Sequence, residues 1–227
     1  METKLNIPQI KICGITTPAQ AGQCADLGAD AIGCVFFAKS PRNLSDKQAE
    51  EICAAVAGNI QTVGVFVNAS YEAIMEKVDF CGLSCVQLHG AEPPELVTRL
   101  RRQGLIVIKA LFGSRPPNLN AAPLYQTASA FLAECGSGVL PGGNAKTWNW
   151  ADTGPVARQG PLVLAGGLSP ENIAEALLAA LPDAVDVSSG VEAAPGIKDM
   201  DKIALFINNI KQTVSGTSPG KPLRRIF

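Results

Sequence analysis

The chain has 227 residues, 47% of them apolar and 17% charged, which is enough hydrophobic material for a sizeable core and too little charge for a disordered chain. With 19 Lys plus Arg against 20 Asp plus Glu the net charge is −1, so no positive field draws a nucleic acid. The longest apolar runs, 52–57 and 176–181, fall far short of the roughly 18 residues of a membrane span. The first residues lack the basic start and apolar stretch of a secretory signal, and the expected place is the cytoplasm. Seven cysteines, an odd number, read as reduced thiols; Cys81 and Cys85 have neither a second close pair nor enough histidine for zinc, so no metal is expected.

From Gln9 onward short β-rich runs alternate with segments of helical spacing, the pattern of a parallel sheet covered by helices. Strands are expected near 9–13, 31–36, 61–67, 84–88, 105–110, 128–133, 161–165 and 183–187. Eight such units close a (β/α)8 TIM barrel, an α/β fold, here one domain over 1–214. Ser45, Ser70 and Ser169 read as N-caps, the last with Pro170 at the first helical position. Pro116, Pro117 and Pro123 leave room for only a short helix around Leu124, and the sixth crossover offers only a turn or two near 150–158. Residues 215–227 have a composition that need not fold and read as a disordered tail.

In such a barrel chemistry belongs at the C-terminal strand ends, where Cys13, Arg42, His89 and Glu134 are the acid, base or anion-binding candidates. Period two puts Gln9, Lys11 and Cys13 on one face of the first strand and Ile10 and Ile12 on the other. An inward Lys11 needs a carboxylate, and Asp186 on the neighbouring eighth strand is the natural partner; the plain alternative is a lysine that snorkels to the rim. After strand seven come Gly166 and Gly167, and after strand eight Ser188, Ser189 and Gly190. Two loops of bare amides at these positions suit a phosphate. No P-loop or G-x-G-x-x-G is present, and the G-x-S-x-G letters at 216–220 lack the flanking strand and helix of a nucleophile elbow.

Lys11-Ile12-Cys13-Gly14, Ser40-Pro41-Arg42, Val86-Gln87-Leu88-His89-Gly90, Gly142-Gly143 with Lys146-Thr147, Ala165-Gly166-Gly167-Leu168 and the run from Val185 to Glu192 followed by Pro195-Gly196 and Lys198-Asp199 resemble the phosphoribosylanthranilate isomerase family along nearly the whole chain. The resemblance implies an Amadori rearrangement of a phosphorylated small molecule, with no cofactor, by a monomer or homodimer that binds neither nucleic acid nor membrane. It implies Cys13 as the base and Glu134 as the acid. Arg42 would hold the anthranilate carboxylate, His89 would line the aromatic end and Asp186 would lie against the substrate. The thiol is expected to be made a base by the charge of Lys11 or Arg42. One departure stands out: where the family carries aspartate this chain has Glu134, and where the family has Gly-Thr-Gly-Lys this chain has Gly143-Asn144-Ala145-Lys146. The competing readings are another phosphosugar enzyme using Lys11 or Lys109 and a barrel that binds phosphosugars without turnover.

Overall fold

The computed structural model describes residues 7–136, 147–215 and 222–227. Eight parallel strands close on themselves: β1 (Gln9–Cys13), β2 (Ala31–Phe36), β3 (Gln61–Phe66), β4 (Cys85–Leu88), β5 (Ile106–Phe112), β6 (Ala130–Glu134), β7 (Leu162–Leu164) and β8 (Ala184–Val187). The helices of the outer ring are α1 (Pro18–Leu27), α2 (Asp46–Ala55), α3 (Tyr71–Cys81), α4 (Pro94–Arg101), α5 (Gly154–Ala157), α6 (Ile173–Ala180) and α7 (Met200–Ser215). Only a 3-10 turn, Leu119–Tyr125, fills the fifth crossover, as its prolines require, and another, Trp150–Thr153, precedes the short α5. After β8 a hairpin of β9 (Glu192–Ala194) and β10 (Ile197–Lys198) leads into α7.

Side-chain alternation divides the interior into two layers. Ile10, Ile12, Ile32, Val107 and Leu111 pack outward with the helices, whereas Ala31, Val63, Cys85, Ile108, Phe112, Leu132, Val163 and Ala184 fill the barrel. Ser45 caps α2 in a reciprocal capping box with Gln48, and Ser70 caps α3. Ser169 does not cap α6. The cap is Asn172, whose Oδ1 accepts from Ser169 N and whose Nδ2 donates to Gly167 O, so this side chain holds residues 169–172 in a turn and delays the helix.

The expectation of an unpacked tail fails for residues 222–227. Ile226 joins the barrel-filling cluster from the N-terminal end. Gln9 Oε1 accepts from the amides of Ile226 and Phe227. Arg224 Nη2 lies 2.6 Å from Oδ2 of the fully buried Asp183. Composition spoke only of what this segment buries within itself, whereas its partners are a strand 218 residues away in sequence and a carboxylate that burial leaves in need of a cation. Ser215 ends α7, and 216–221, with the elbow-like letters, lie outside the described residues.

Candidate active site

The β1–β8 register sets Lys11 opposite Asp186, and Lys11 Nζ meets Asp186 Oδ1 at 2.8 Å in a buried ion pair. Burial opposes the charge on Lys11, but Asp186 and Cys13 outweigh it and raise its pKa. Cys13 is at the end of the same strand, paired with Gly33 of β2. Burial pushes the Cys13 thiol up; Lys11 and Lys198 pull it down by less. The expected direction was downward. Lys11 does act as expected, and the loss of hydration at a buried sulfur is the larger effect.

Arg42 follows β2 and lies across Gly14, where a Cβ would come 2.3 Å from Arg42 Cδ; Gly14 also has φ +79°. Its guanidinium fork is engaged: Nε donates to Glu192 Oε1 at 2.7 Å and Nη2 to Glu192 Oε2 at 2.6 Å. Lys198 Nζ joins the same carboxylate at 2.8 Å and reaches Ser188 O at 3.1 Å. Burial pushes the Glu192 carboxyl up, but Arg42 and Lys198 hold it below the usual range. Arg42 was expected to hold the anthranilate carboxylate, and the structure puts an internal carboxylate on its fork. What remains of the guanidinium is its Nη1 end.

Glu134 ends β6 and is buried, and its Oε2 lies 2.8 Å from His89 Nε2. His89 Nδ1 in turn lies 2.8 Å from Gln87 Nε2. The Phe112 ring meets the imidazole edge-on at 5.5 Å. His89 is thus placed beside the carboxyl group, a partner that the sequence reading did not give it. Gly166, φ +86°, is next to this group, where a Cβ would stand 3.0 Å from Glu134 Cγ. The loops after β7 and β8 touch: a Cβ on Gly190 would fall 1.9 Å from Leu168 O. Gly166, Gly167, Ser188, Ser189 and Gly190 are therefore brought together at one edge of the mouth, with the indole of Trp148 donating to Ala165 O. Of the glycine-rich motif before Thr147, residues 142–146 lie outside the described residues.

Lys109 belongs to a different arrangement. It alternates with the outward Val107 and Leu111, and its Nζ donates to Glu92 Oε2 and Gly90 O, each at 2.7 Å. Burial lowers its pKa despite Glu92. Glu92 also accepts from the amides of Asn68 and Gly90, so the pair fixes the loops after β3 and β4. Glu92, Glu192 and Lys198 received no role from sequence. A buried arginine fork calls for a carboxylate, a signal that could have raised the question of an internal partner for Arg42 but not named Glu192.

All eight strands are parallel, so Cys13 and Glu134, the last residues of β1 and β6, open on one mouth with the β7 and β8 loops. A family model described as N-(5'phosphoribosyl)anthranilate (PRA) isomerase matches residues 10–209. The chain belongs to the phosphoribosylanthranilate isomerase family. A relative from Desulfatibacillum aliphaticivorans named N-(5'-phosphoribosyl)anthranilate isomerase is 52% identical over 94% of this chain and 97% of its own length. One from Geotalea daltonii is 44% identical over 90% of this chain and 97% of its own. Among solved structures, the phosphoribosyl anthranilate isomerase of Thermotoga maritima superposes with a TM-score of 0.84 at 40% identity, covering 91% of this chain and 100% of that one. Another, solved in complex with reduced 1-(o-carboxyphenylamino)-1-deoxyribulose 5-phosphate, gives 0.80 at 39% identity with the same coverage. The solved isomerases share the barrel fold of this chain.

Proposed function

We propose that this chain converts N-(5'-phosphoribosyl)anthranilate into 1-(2-carboxyphenylamino)-1-deoxyribulose 5-phosphate, an Amadori rearrangement of tryptophan biosynthesis carried out in the cytoplasm. The observation that carries the reading is that Cys13, Glu134 and the two glycine loops all lie at strand ends on the one C-terminal mouth of the barrel. No described helix is long and apolar enough to cross a membrane. One solved relative is described as monomers generated from the dimeric Thermotoga maritima enzyme, and a monomer or homodimer is the corresponding expectation for this chain.

Glu134 in its acid form gives a proton to the ribose ring oxygen. The C1–O bond breaks toward that oxygen, and the anthranilate nitrogen pushes its lone pair into a C1=N bond. The Cys13 thiolate then removes the C2 proton; the C–H electrons form C1=C2 and the iminium pair returns to nitrogen. The enolamine passes to the ketose by gaining a proton at C1 and losing one from the C2 hydroxyl. The substrate's own nitrogen is the electron sink, so the steps call for no metal or organic cofactor. Gly166, Gly167, Ser188, Ser189 and Gly190 hold the phosphate, because glycine allows close approach and the amides present hydrogen-bond donors. Arg42 meets the anthranilate carboxylate through its Nη1 end while Glu192 keeps the opposite edge. Asp186 serves by holding Lys11 beside the thiol.

Lys109 supports the isomerase over another lysine-dependent phosphosugar reaction, because it packs on the helix side of the sheet and is committed to Glu92. The test is the loss of substrate fluorescence with wild-type, Cys13→Ala and Glu134→Gln protein. Both variants should lose on the order of 100-fold or more in kcat. No turnover by wild-type protein would favour the binding-only barrel, and a variant as fast as wild type would remove its residue from the chemistry.

A further inference from the structure

Gln87 and His89 lie on one inward row of β4 with Cys85. Their side chains form a buried line that ends on Glu134, through two contacts of 2.8 Å. One atom of this line has no partner among the described residues: Gln87 Oε1 is buried without a hydrogen bond, in a side chain that is 1% exposed. An orphaned buried acceptor costs about 1–3 kcal/mol, so its position asks for a reason.

The amide has two orientations, related by a half-turn. With Nε2 toward the ring, Nδ1 is an acceptor, the one imidazole proton sits on Nε2, and Glu134 receives it as a carboxylate. With Oε1 toward the ring, Nδ1 must carry a proton, and any proton between Nε2 and Glu134 is a second one. With Oε1 toward the ring the His89–Glu134 pair can therefore hold two protons, against one in the other orientation. The unused Oε1 is the acceptor that the extra proton needs.

We infer that Gln87 and His89 are positioning residues that load Glu134, the Gln87 amide turning its oxygen to Nδ1 when the His89–Glu134 pair takes up the proton that Glu134 delivers. The inference rests on Glu134 being the acid. In the loaded pair, Nδ1–H donates to Oε1 and one proton lies between Nε2 and the carboxyl group. Delivery sends that proton to the ribose ring oxygen and leaves a bare Nε2 lone pair beside the carboxylate, with Nδ1–H still on Oε1 and the amide still turned. The pair then takes the C2 hydroxyl proton released as the enolamine becomes the ketone, which restores the loaded state. The Cys13 thiol returns its proton to C1, so protons balance over a turnover.

Arg115, after β5, feels both Glu134 and Glu92 and lies with its guanidinium carbon 3.3 Å above the Phe112 ring. Glu92 and Lys109 form an ion pair of 2.7 Å around the Gly90 backbone. Cys135 adjoins Glu134 on its own strand end.

His89 is the only histidine of the chain, so its two ring nitrogens are read without assignment by 15N NMR of the full-length protein. In wild-type protein the proton should sit on Nε2 alone at alkaline pH. On acidification Nδ1 should gain a proton. Gln87→Glu, which offers only acceptors, should keep Nδ1 protonated at pH values where wild type has lost that proton, and should carry activity further to the alkaline side. Gln87→Leu should lower kcat by on the order of 10-fold with KM within about 2-fold of wild type, and Gln87→Glu should restore it. Nδ1 protonated at every pH in wild-type protein, or Gln87→Leu with unchanged kcat and pH profile, would overturn the inference. Were Gln87→Leu unable to fold, the nitrogen signals of wild type and Gln87→Glu decide alone. Glu134→Gln separates the two levels: full kcat there removes the acid itself, whereas its loss beside an indifferent Gln87 removes only the relay.

Discussion

Gly33 stands directly against Cys13: a Cβ at Gly33 would lie 2.7 Å from Sγ, 3.1 Å from the Cys13 α-carbon and 3.1 Å from Lys11 Nζ. Glycine on β2 thus makes the space in which the sulfur and its neighbouring ammonium lie. Gly33→Ala should displace the thiol, because the backbone of β1 cannot retreat from a paired strand. An overpacked position of this kind costs about 1–3 kcal/mol. The variant should fold with a lower Tm and lose more in kcat than in KM; the two are read by thermal unfolding and steady-state kinetics. Unchanged kcat would mean that the thiol's position does not matter.

Burial raises the Cys13 pKa above 9.0, with Lys11 and Lys198 opposing it. A raised thiol pKa means less thiolate at a given pH, so kcat/KM should climb as pH rises toward and past 9. Lys198→Gln removes one of the two opposing cations, and the alkaline climb should move to higher pH. A pH–rate profile of both proteins checks this; a shift toward lower pH would contradict it.

Glu134 reaches His89 with a side chain one methylene longer than the aspartate of the family resemblance. Glu134→Asp keeps the acid and draws it back toward β6. It should lose the His89 contact and about 10- to 100-fold in kcat, well short of the loss in Glu134→Gln. Single-turnover rates of the two variants, measured side by side, give the ranking.

Arg224 neutralises Asp183, which is fully buried and also accepts from Leu162 N at 2.8 Å. Arg224 is partly exposed, which screens the pair, so Arg224→Ala should destabilise the fold by about 1–2 kcal/mol. Removal of the Ile226 side chain should cost about 2 kcal/mol. Both lie at the N-terminal end of the barrel, so kcat should stay at the wild-type value while the urea midpoint falls. A fall in kcat without loss of stability would contradict a role confined to closing the barrel.

The strand pattern made the fold legible because each strand carries its own period of two, and Lys11 with Asp186 could be paired because adjacent strands in a closed barrel fix a register. Contacts between distant loops leave no such trace. Glu192 reaches Arg42 across 150 residues, and His89 reaches Glu134 across 45, through geometry that exists only when the cylinder is closed. The packed 222–227 segment was missed for the same reason, since its anchors belong to β1 and the approach to β8. Ser169 misled because a proline after a serine is a sound helix start unless a nearby asparagine offers a stronger turn.

Among the described residues, the buried groups Lys11, Arg42 and Lys198 around Cys13 face Asp186 and Glu192, three cations against two anions, in a chain whose whole charge is −1. The cluster around Cys13 therefore carries a local surplus of positive charge while the thiol is protonated. An anionic molecule drifting near it is drawn in, and the ionisation of a single sulfur brings the cluster to neutrality. Encounter rates with a phosphorylated, carboxylated molecule should accordingly drop as ionic strength rises.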